Sequence, residues 1–338
     1  MRLKNMSEGR VTFASRNHYT VSSSGGEYIC VLAGAYSLHN DYVPAVGDYV
    51  SFYANPDGNS VIDAVRPRKS VVARKASGRE YDKAVLAANV DVMLIVCAMD
   101  RNFSRNRIER FLVLAESGGA RPVVVLTKSD LCSPMDIAVY TMGAEEAVRG
   151  TEVFAVSSVT GDGLKELSDI LVEGVTACAV GLSGAGKSSL LNRLTGHEIQ
   201  TVSGVRADDD KGKHTTTSRH LFKLPSGADF IDTPGIREVG MTGDAEALDA
   251  VFDDITEAAA DCFFADCTHT HEPGCAVKKL AESGEIDMAR YENYLKLRNE
   301  NENYIMRTQD KAGKKREEKK LSRTIKNVIK IKPGLKDS

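Results

Sequence analysis

"AVGLSGAGKSSLLNRLTG", residues 179–196, decides how the rest of this 338-residue chain is read. An apolar run leads into a turn with Gly181, Gly186, Lys187 and Ser188 at the G-x-x-x-x-G-K-[S/T] spacing, and the helical "SLLNRL" follows directly. Glycines let the backbone fold around phosphate groups, so that successive N–H groups and the start of a helix point at anionic oxygen. Lys187 is then placed to reach β and γ phosphates, and Ser188 to offer its hydroxyl to Mg²⁺. The predicted phosphate-contacting set is Ala179, Val180, Gly181, Leu182, Ser183, Gly184, Ala185, Gly186, Lys187, Ser188 and Ser189. A glycine-rich turn without nucleotide is the competing account, and the strand–loop–helix context argues against it.

Downstream, "FIDTPGIRE" (230–238) ends a strand run with Asp232-Thr-Pro-Gly235, a D-x-x-G element. Its carboxylate holds Mg²⁺ through water and its glycine N–H can sense the γ phosphate. Between the two lies "ADDDKGKHTTTSR" (207–219), where a loop could bring Thr215 or Thr216 to the ion; Thr216 is the expected ligand beside Ser188. Loop, Thr-rich segment and D-x-x-G stand in the order of a switch GTPase.

Upstream, some fifty residues before the phosphate loop, "VVVLTKSDL" (123–131) carries Thr127, Lys128, Ser129 and Asp130, close to the [N/T]-K-x-D element that reads guanine. The Asp130 carboxylate can accept hydrogen bonds from N1–H and the exocyclic amine of guanine. Adenine would leave it unpaired, at a cost of about 1–3 kcal/mol. Lys128 would lie along the base, and "VSS" (156–158), with Ser157 and Ser158, fits the second base-contacting loop. The base reader thus precedes the phosphate loop, which is a circular permutation. The same parallel sheet can be assembled from a chain cut elsewhere, because the ligand site depends on where strand ends lie.

With 42% hydrophobic and 27% charged residues the chain reads as globular, and its length allows two or three domains. No apolar run is long enough for a membrane span and "MRLKNMSEGRV" lacks a signal-peptide core, so the expected address is cytoplasmic and no membrane partner is expected. Seven cysteines argue against a disulfide framework; Cys30, Cys97, Cys132 and Cys178 lie in or beside apolar runs, as small core residues do. The net charge of −3 is uneven: residues 307–336 hold twelve Lys/Arg against three Asp/Glu. An acidic body with a basic tail suggests a polyanionic partner there, although a solvated charge run accounts for it too.

Residues 1–70 hold five short strand-like runs separated by turn chemistry, which suggests an OB-like β-barrel; an SH3-like domain is the alternative. From residue 71 to 242 apolar strands such as "VDVMLIVC" alternate with helical segments such as "RNRIERFLVLAES", where Ile108, Phe111, Leu112 and Ala115 share a face. That alternation predicts an α/β sheet covered on both sides. Residues 243–306 read as helical, with "AEALDAVFDDITEAAADC" as one helix and Met288, Tyr291 and Leu295 on one face of a second; residues 307–338 read as a mostly solvated basic tail.

Within the helical part, "DCFFADCTHTHEPGC" gives Cys262-x4-Cys267-x-His269-x5-Cys275. Three thiolates and an imidazole make a closed tetrahedral Zn²⁺ set, structural in character because no position stays open. His271 could replace His269.

Taken together, "VGDYV", "ANVDVMLIV", "RFLVLAE", "VVLTKSDL", "GLSGAGKSSLLN", "GKHTTT", "IDTPGIRE", "CTHTHEPGCAV" and "RYENYLKL" resemble the ribosome small subunit-dependent GTPase A family over nearly all of residues 10–305. The resemblance implies a circularly permuted P-loop GTPase domain flanked by an N-terminal OB-fold and a C-terminal zinc domain. It also implies GTP and GDP as ligands, the small ribosomal subunit and its rRNA as partners, a role late in that subunit's maturation, and hydrolysis stimulated by the subunit. Ile236 stands where Ras-like proteins carry the glutamine that orients water, so slow intrinsic turnover is expected, and His214 is the candidate to position that water instead. Thr127 replaces the family's usual Asn; the expectation is retained guanine preference with weaker affinity. A permuted GTPase for another RNA or the large subunit and an RNA-binding scaffold that hardly turns nucleotide over are the competing readings, and a monomer is the simplest state.

Overall fold

The structure, a computed structural model, describes residues 6–15, 18–34, 36, 43–55, 57–75, 83–196, 219–233, 240–241 and 243–331, with side chains left out at 74–75, 83–84 and 310–331. His214, Thr215, Thr216, Gly235 and Ile236, each given a role above, lie outside the described residues.

Five strands open the chain: β1 (Met6–Ala14), β2 (Tyr19–Ser23), β3 (Gly26–Leu32), β4 (Tyr49–Tyr53) and β5 (Ser60–Val65). They pair in the order β1-β2-β3-β5-β4, and β4 returns to β1, so the sheet closes on itself. Alternation drives closure: Val11, Val21, Cys30, Val50, Phe52 and Ile62 point to one interior core, and a closed barrel leaves no edge. A hairpin, β6 (Val71–Lys75) with β7 (Lys83–Ala88), links the barrel to the next unit.

In that unit the strands are β8 (Val92–Ala98), β9 (Arg121–Thr127), β10 (Val153–Ala155), β11 (Thr176–Val180), β12 (Arg219–Lys223) and β13 (Asp229–Asp232). Their spatial order is β10-β9-β8-β11-β13-β12, parallel except for β12. Helices α1 (Arg105–Gly118), α2 (Pro134–Val148), α3 (Leu164–Asp169) and α4 (Lys187–Thr195) cover it. Strand β8 is buried throughout; Met93, Ile95 and Cys97 face one core, and Val92, Leu94 and Val96 the other. A strand covered on both faces needs that continuous apolar run. The predicted face of α1 is buried at Ile108, Phe111, Leu112 and Ala115.

Barrel and parallel sheet are one continuous structure, because β12 pairs antiparallel with β1, Phe13 opposite His220 and Ala14 opposite Arg219. The Phe13 and His220 rings lie 4.7 Å apart. Beside this seam Arg10 donates to Asp229 (2.6 Å) and to Thr176 Oγ1 (2.7 Å).

The C-terminal part departs from the sequence reading in three ways. The segment read as one helix is two, α5 (Ala245–Val251) and α6 (Asp253–Ala259), broken at Phe252, whose ring is fully buried under the Arg290 guanidinium at 4.6 Å. After α7 (Ala276–Ser283), helix α8 runs from Met288 to Ile331, so the backbone of the basic segment continues a helix instead of forming a separate tail. The buried face of α8 is Tyr291, Tyr294, Leu297 and Asn301; Met288 is exposed and Leu295 only half-buried. Polar anchors rotate the helix this way. Arg290 donates to Glu109 of α1, to Asp254 and to the Val251 carbonyl, and Asn293 donates to Glu109.

Candidate functional site

The carboxyl ends of β8, β9, β10, β11 and β13 open on one edge of the sheet, where a doubly wound fold binds ligands. The phosphate loop leaves β11 and runs to α4, whose first residue is Lys187. Gly181 has φ +145°, and a Cβ there would lie 2.2 Å from the Val96 carbonyl, so only glycine permits the loop to pass this close to β8. The Lys187 ammonium donates to the carbonyls of Gly181 (2.8 Å) and Leu182 (2.6 Å), folded over the loop it serves.

Thr127, at the end of β9, is fully buried and donates from Oγ1 to the Ala185 carbonyl at 2.7 Å. The base-reading strand is therefore tied to the phosphate loop by a hydroxyl, the link that an amide was expected to supply better. Lys128 adopts φ +68° and pairs with Asp100 at 2.9 Å. Burial pushes the Asp100 carboxyl up, but hydrogen bonds from Lys128 and Asn102 outweigh it and leave the group below the ordinary carboxylate range. Asp130 accepts from Ser157 Oγ at 2.6 Å, and the same oxygen accepts from Val159 N–H (3.1 Å) and Thr160 N–H (3.0 Å). Ser157 is fully buried and thus fixes one oxygen of Asp130, leaving the carboxylate's remaining lone pairs for a donor-bearing ring edge. Ser129 and Ser158 lie in the same pair of turns.

Asp232 closes β13 beside the phosphate loop; burial lifts its carboxyl above the ordinary range while Lys187 pulls it back. The next residue, Thr233, donates to the Ala179 carbonyl at 2.7 Å and pins this strand end to β11. Neither Asp100 nor Thr233 was singled out from the sequence. Asp100 carried a signal, a carboxylate just past a fully apolar strand; Thr233 carried none beyond its place inside the D-x-x-G element.

The second site lies between α6 and α7. Cys262, Cys267, His269 and Cys275 present ligand atoms that all lie within 4.8 Å of one another. The His269 Nδ1 is 3.6 Å from Cys262 Sγ and 3.5 Å from Cys275 Sγ, and those two sulfurs are 3.9 Å apart. A tetrahedron with Zn–S of about 2.3 Å and Zn–N of about 2.05 Å has edges of roughly 3.8 Å (S···S) and 3.6 Å (S···N), so the donor set fits such an ion. Local structure builds it. Cys275 caps α7 by accepting from Lys278 N–H, and His269, at φ +62°, has its carbonyl held by the buried Tyr291 hydroxyl. His271 is exposed and bonds Thr270 instead, so it lies outside this group of four. Two of the four described non-glycine residues at positive φ, Lys128 and His269, thus stand at the two sites.

Comparison with known proteins gives the same picture. The sequence model of the family described as "RsgA GTPase" matches residues 65–242. The chain is 42% identical over 296 residues to small ribosomal subunit biogenesis GTPase RsgA 2 of Lactiplantibacillus plantarum, covering 86% of this chain and 82% of that one. It is 44% identical over 256 residues to small ribosomal subunit biogenesis GTPase RsgA of Xanthomonas axonopodis pv. citri, covering 76% and 69%. Among solved structures, YjeQ from Thermotoga maritima superposes with a TM-score of 0.64 at 31% identity, covering 88% of this chain and 99% of that one. YloQ, a circularly permuted GTPase, gives 0.63 at 27% identity, covering 90% and 98%.

Proposed function

The chain belongs to the RsgA GTPase family and is a GTP hydrolase, and from that premise we propose that it binds the small ribosomal subunit and its rRNA and acts late in that subunit's maturation. It hydrolyses GTP to GDP and phosphate, slowly alone and faster on the subunit, as a cytoplasmic monomer. The guanine-nucleotide part of this reading is supported by the sheet edge on which the Ser157–Asp130 pair and the Lys187 loop meet, joined by the Thr127–Ala185 bond, and the small-subunit part by the family.

In this reading Asp130 reads guanine with Ser157 holding its second oxygen, Lys128 lies along the base, and Ser129 and Ser158 complete the base pocket. Lys187 exchanges the carbonyls of Gly181 and Leu182 for the β and γ phosphates, and the N–H groups of the loop from Ala179 to Ser189 cradle them. Ser188 and Thr216 would hold Mg²⁺, with Asp232 acting through water, and the ion would supply neutralisation of phosphate charge. Thr215 is the alternative hydroxyl for the ion, Gly235 would sense the γ phosphate, and His214 would position the attacking water where Ile236 offers no polar group. Cys262, Cys267, His269 and Cys275 hold one structural zinc, which stabilises the helical unit.

The division is 1–70 for the barrel, 71–242 for the GTPase unit, 243–306 for the zinc unit and 307–338 for a basic extension that clamps rRNA.

The deciding experiment measures GTP hydrolysis with purified small subunits, with large subunits and alone. Strong stimulation by small subunits only is expected. Equal rates in all three would overturn the reading, and His214→Ala with unchanged stimulated hydrolysis would remove His214 from it.

A further inference from the structure

One face of α2 carries an apolar stripe that no described residue covers. Met135 is 74% exposed, Val139 57% and Met142 61%, and the preceding turn adds Leu131 at 75%. Steps of four and three residues put these side chains on one side of the helix. The other side is accounted for: Ala144, Ala147 and Val148 are buried, and Tyr140 packs edge-on against Phe103 at 5.1 Å. Scattered exposed apolar residues are ordinary, whereas a continuous stripe on one helix marks a contact surface.

Charge decides what it contacts. Between Ser129 and Val148 the chain has four carboxylates, Asp130, Asp136, Glu145 and Glu146, and no Lys or Arg. Asp136, Glu145 and Glu146 are exposed along the stripe, and among the described residues the ion pair to this face is that of Arg105 with Glu146. Nucleic acid is bound through cationic side chains and would be repelled from this face. A protein helix with Lys and Arg flanking an apolar stripe fits it in both shape and sign, and the two methionines can adapt to the incoming side chains.

We propose that this face of α2 docks a basic amphipathic helix of a protein component of the small subunit, an inference that rests on the small-subunit reading above. Leu131 ends the short 3₁₀ turn Ser129–Leu131 that carries Asp130, so the docked helix covers the residue next to the base reader.

The test is binding of the full chain to purified small subunits with a non-hydrolysable GTP analogue. Met135→Glu/Met142→Glu is expected to weaken binding by about tenfold or more, with unchanged melting temperature and unchanged GTP hydrolysis in the absence of subunits. Should the double variant fold poorly, Glu145→Lys on the solvent edge is expected to weaken binding about threefold through charge reversal alone. A photocrosslinker at Val139 is expected to capture a subunit protein. Normal binding by the variants, or a crosslink to rRNA, overturns the docking inference. Failure of the wild-type chain to bind small subunits overturns the parent reading with it.

Discussion

The parallel sheet is joined to its two neighbours by unlike means, and both joints lie next in sequence to the Thr-rich and D-x-x-G segments. On the barrel side the joint is backbone: β12, the first described strand after the Thr-rich segment, extends onto β1 as an antiparallel pair, supported by Arg10 on Asp229 and Thr176. On the helical side it is made of charged side chains. Glu300 accepts from Met241 N–H while pairing with Arg110 of α1, Asn301 accepts from Gly243 N–H, and Arg290 bridges Glu109 and Asp254 in a nearly buried cluster. Met241 and Gly243 follow the D-x-x-G element within a few residues. A backbone ladder tolerates side-chain change, whereas a buried charge cluster fails when one partner is lost. The helical joint should therefore be the more fragile of the two.

The largest expected effect comes from the Cys/His quartet. Structural zinc contributes about 10–16 kcal/mol of apparent binding free energy in small domains, so a strong chelator should melt α5 to α8 and leave the barrel–sheet seam intact. Hydrogen exchange resolved by segment checks this, and simultaneous loss of protection in β1 and β12 would break the comparison. Next is Arg290→Ala, which strands Glu109 and Asp254. It should cost about 3–5 kcal/mol in denaturant unfolding, and a loss below about 1 kcal/mol would show that the cluster does not hold the joint. Arg10→Ala on the barrel side should cost less, about 1–3 kcal/mol, because the ladder beside it remains.

The smallest effect is a pH dependence. Burial raises the Glu300 carboxyl, but Arg110 and the Met241 N–H outweigh it and leave the group below its ordinary range. A depressed folded value means the stabilisation is complete above the unfolded value of about 4.3 and is lost as pH falls through the lower folded value. Wild type should therefore exceed Glu300→Gln in stability by up to about 1 kcal/mol near neutrality. The gap should close on acidification, and a gap that widens would reverse the assignment.

Much of this was legible in the sequence for identifiable reasons. Buried parallel strands need unbroken apolar runs, so β8, β9 and β11 stood out. The phosphate loop and the Cys/His quartet stood out because their ligands come from short contiguous segments, where spacing constrains geometry. The β6–β7 hairpin did not, since "VVARK" and "KAVLAA" carry neither strict alternation nor a tight turn between them. The break at Phe252 was hidden because both flanks are good helix formers; it follows from Arg290 seizing Asp254, the Val251 carbonyl and the Phe252 ring. The buried face of α8 was misjudged for the same reason: a long-range Arg and two Asn residues, not the apolar spacing, set its rotation.

By itself the sequence determined the permuted order of the nucleotide elements, the barrel's five strands and the cluster of three cysteines with two candidate histidines, because each rests on local chemistry at short spacing. Only the tertiary structure decided that barrel and parallel sheet merge through β1 and β12, that His269 and not His271 completes the quartet, and that Thr127 reaches the phosphate loop. It also decided that Ser157 fixes Asp130. Those contacts join residues far apart in the chain, where no local propensity selects a partner and only the packing of the whole sheet brings the groups within hydrogen-bond reach.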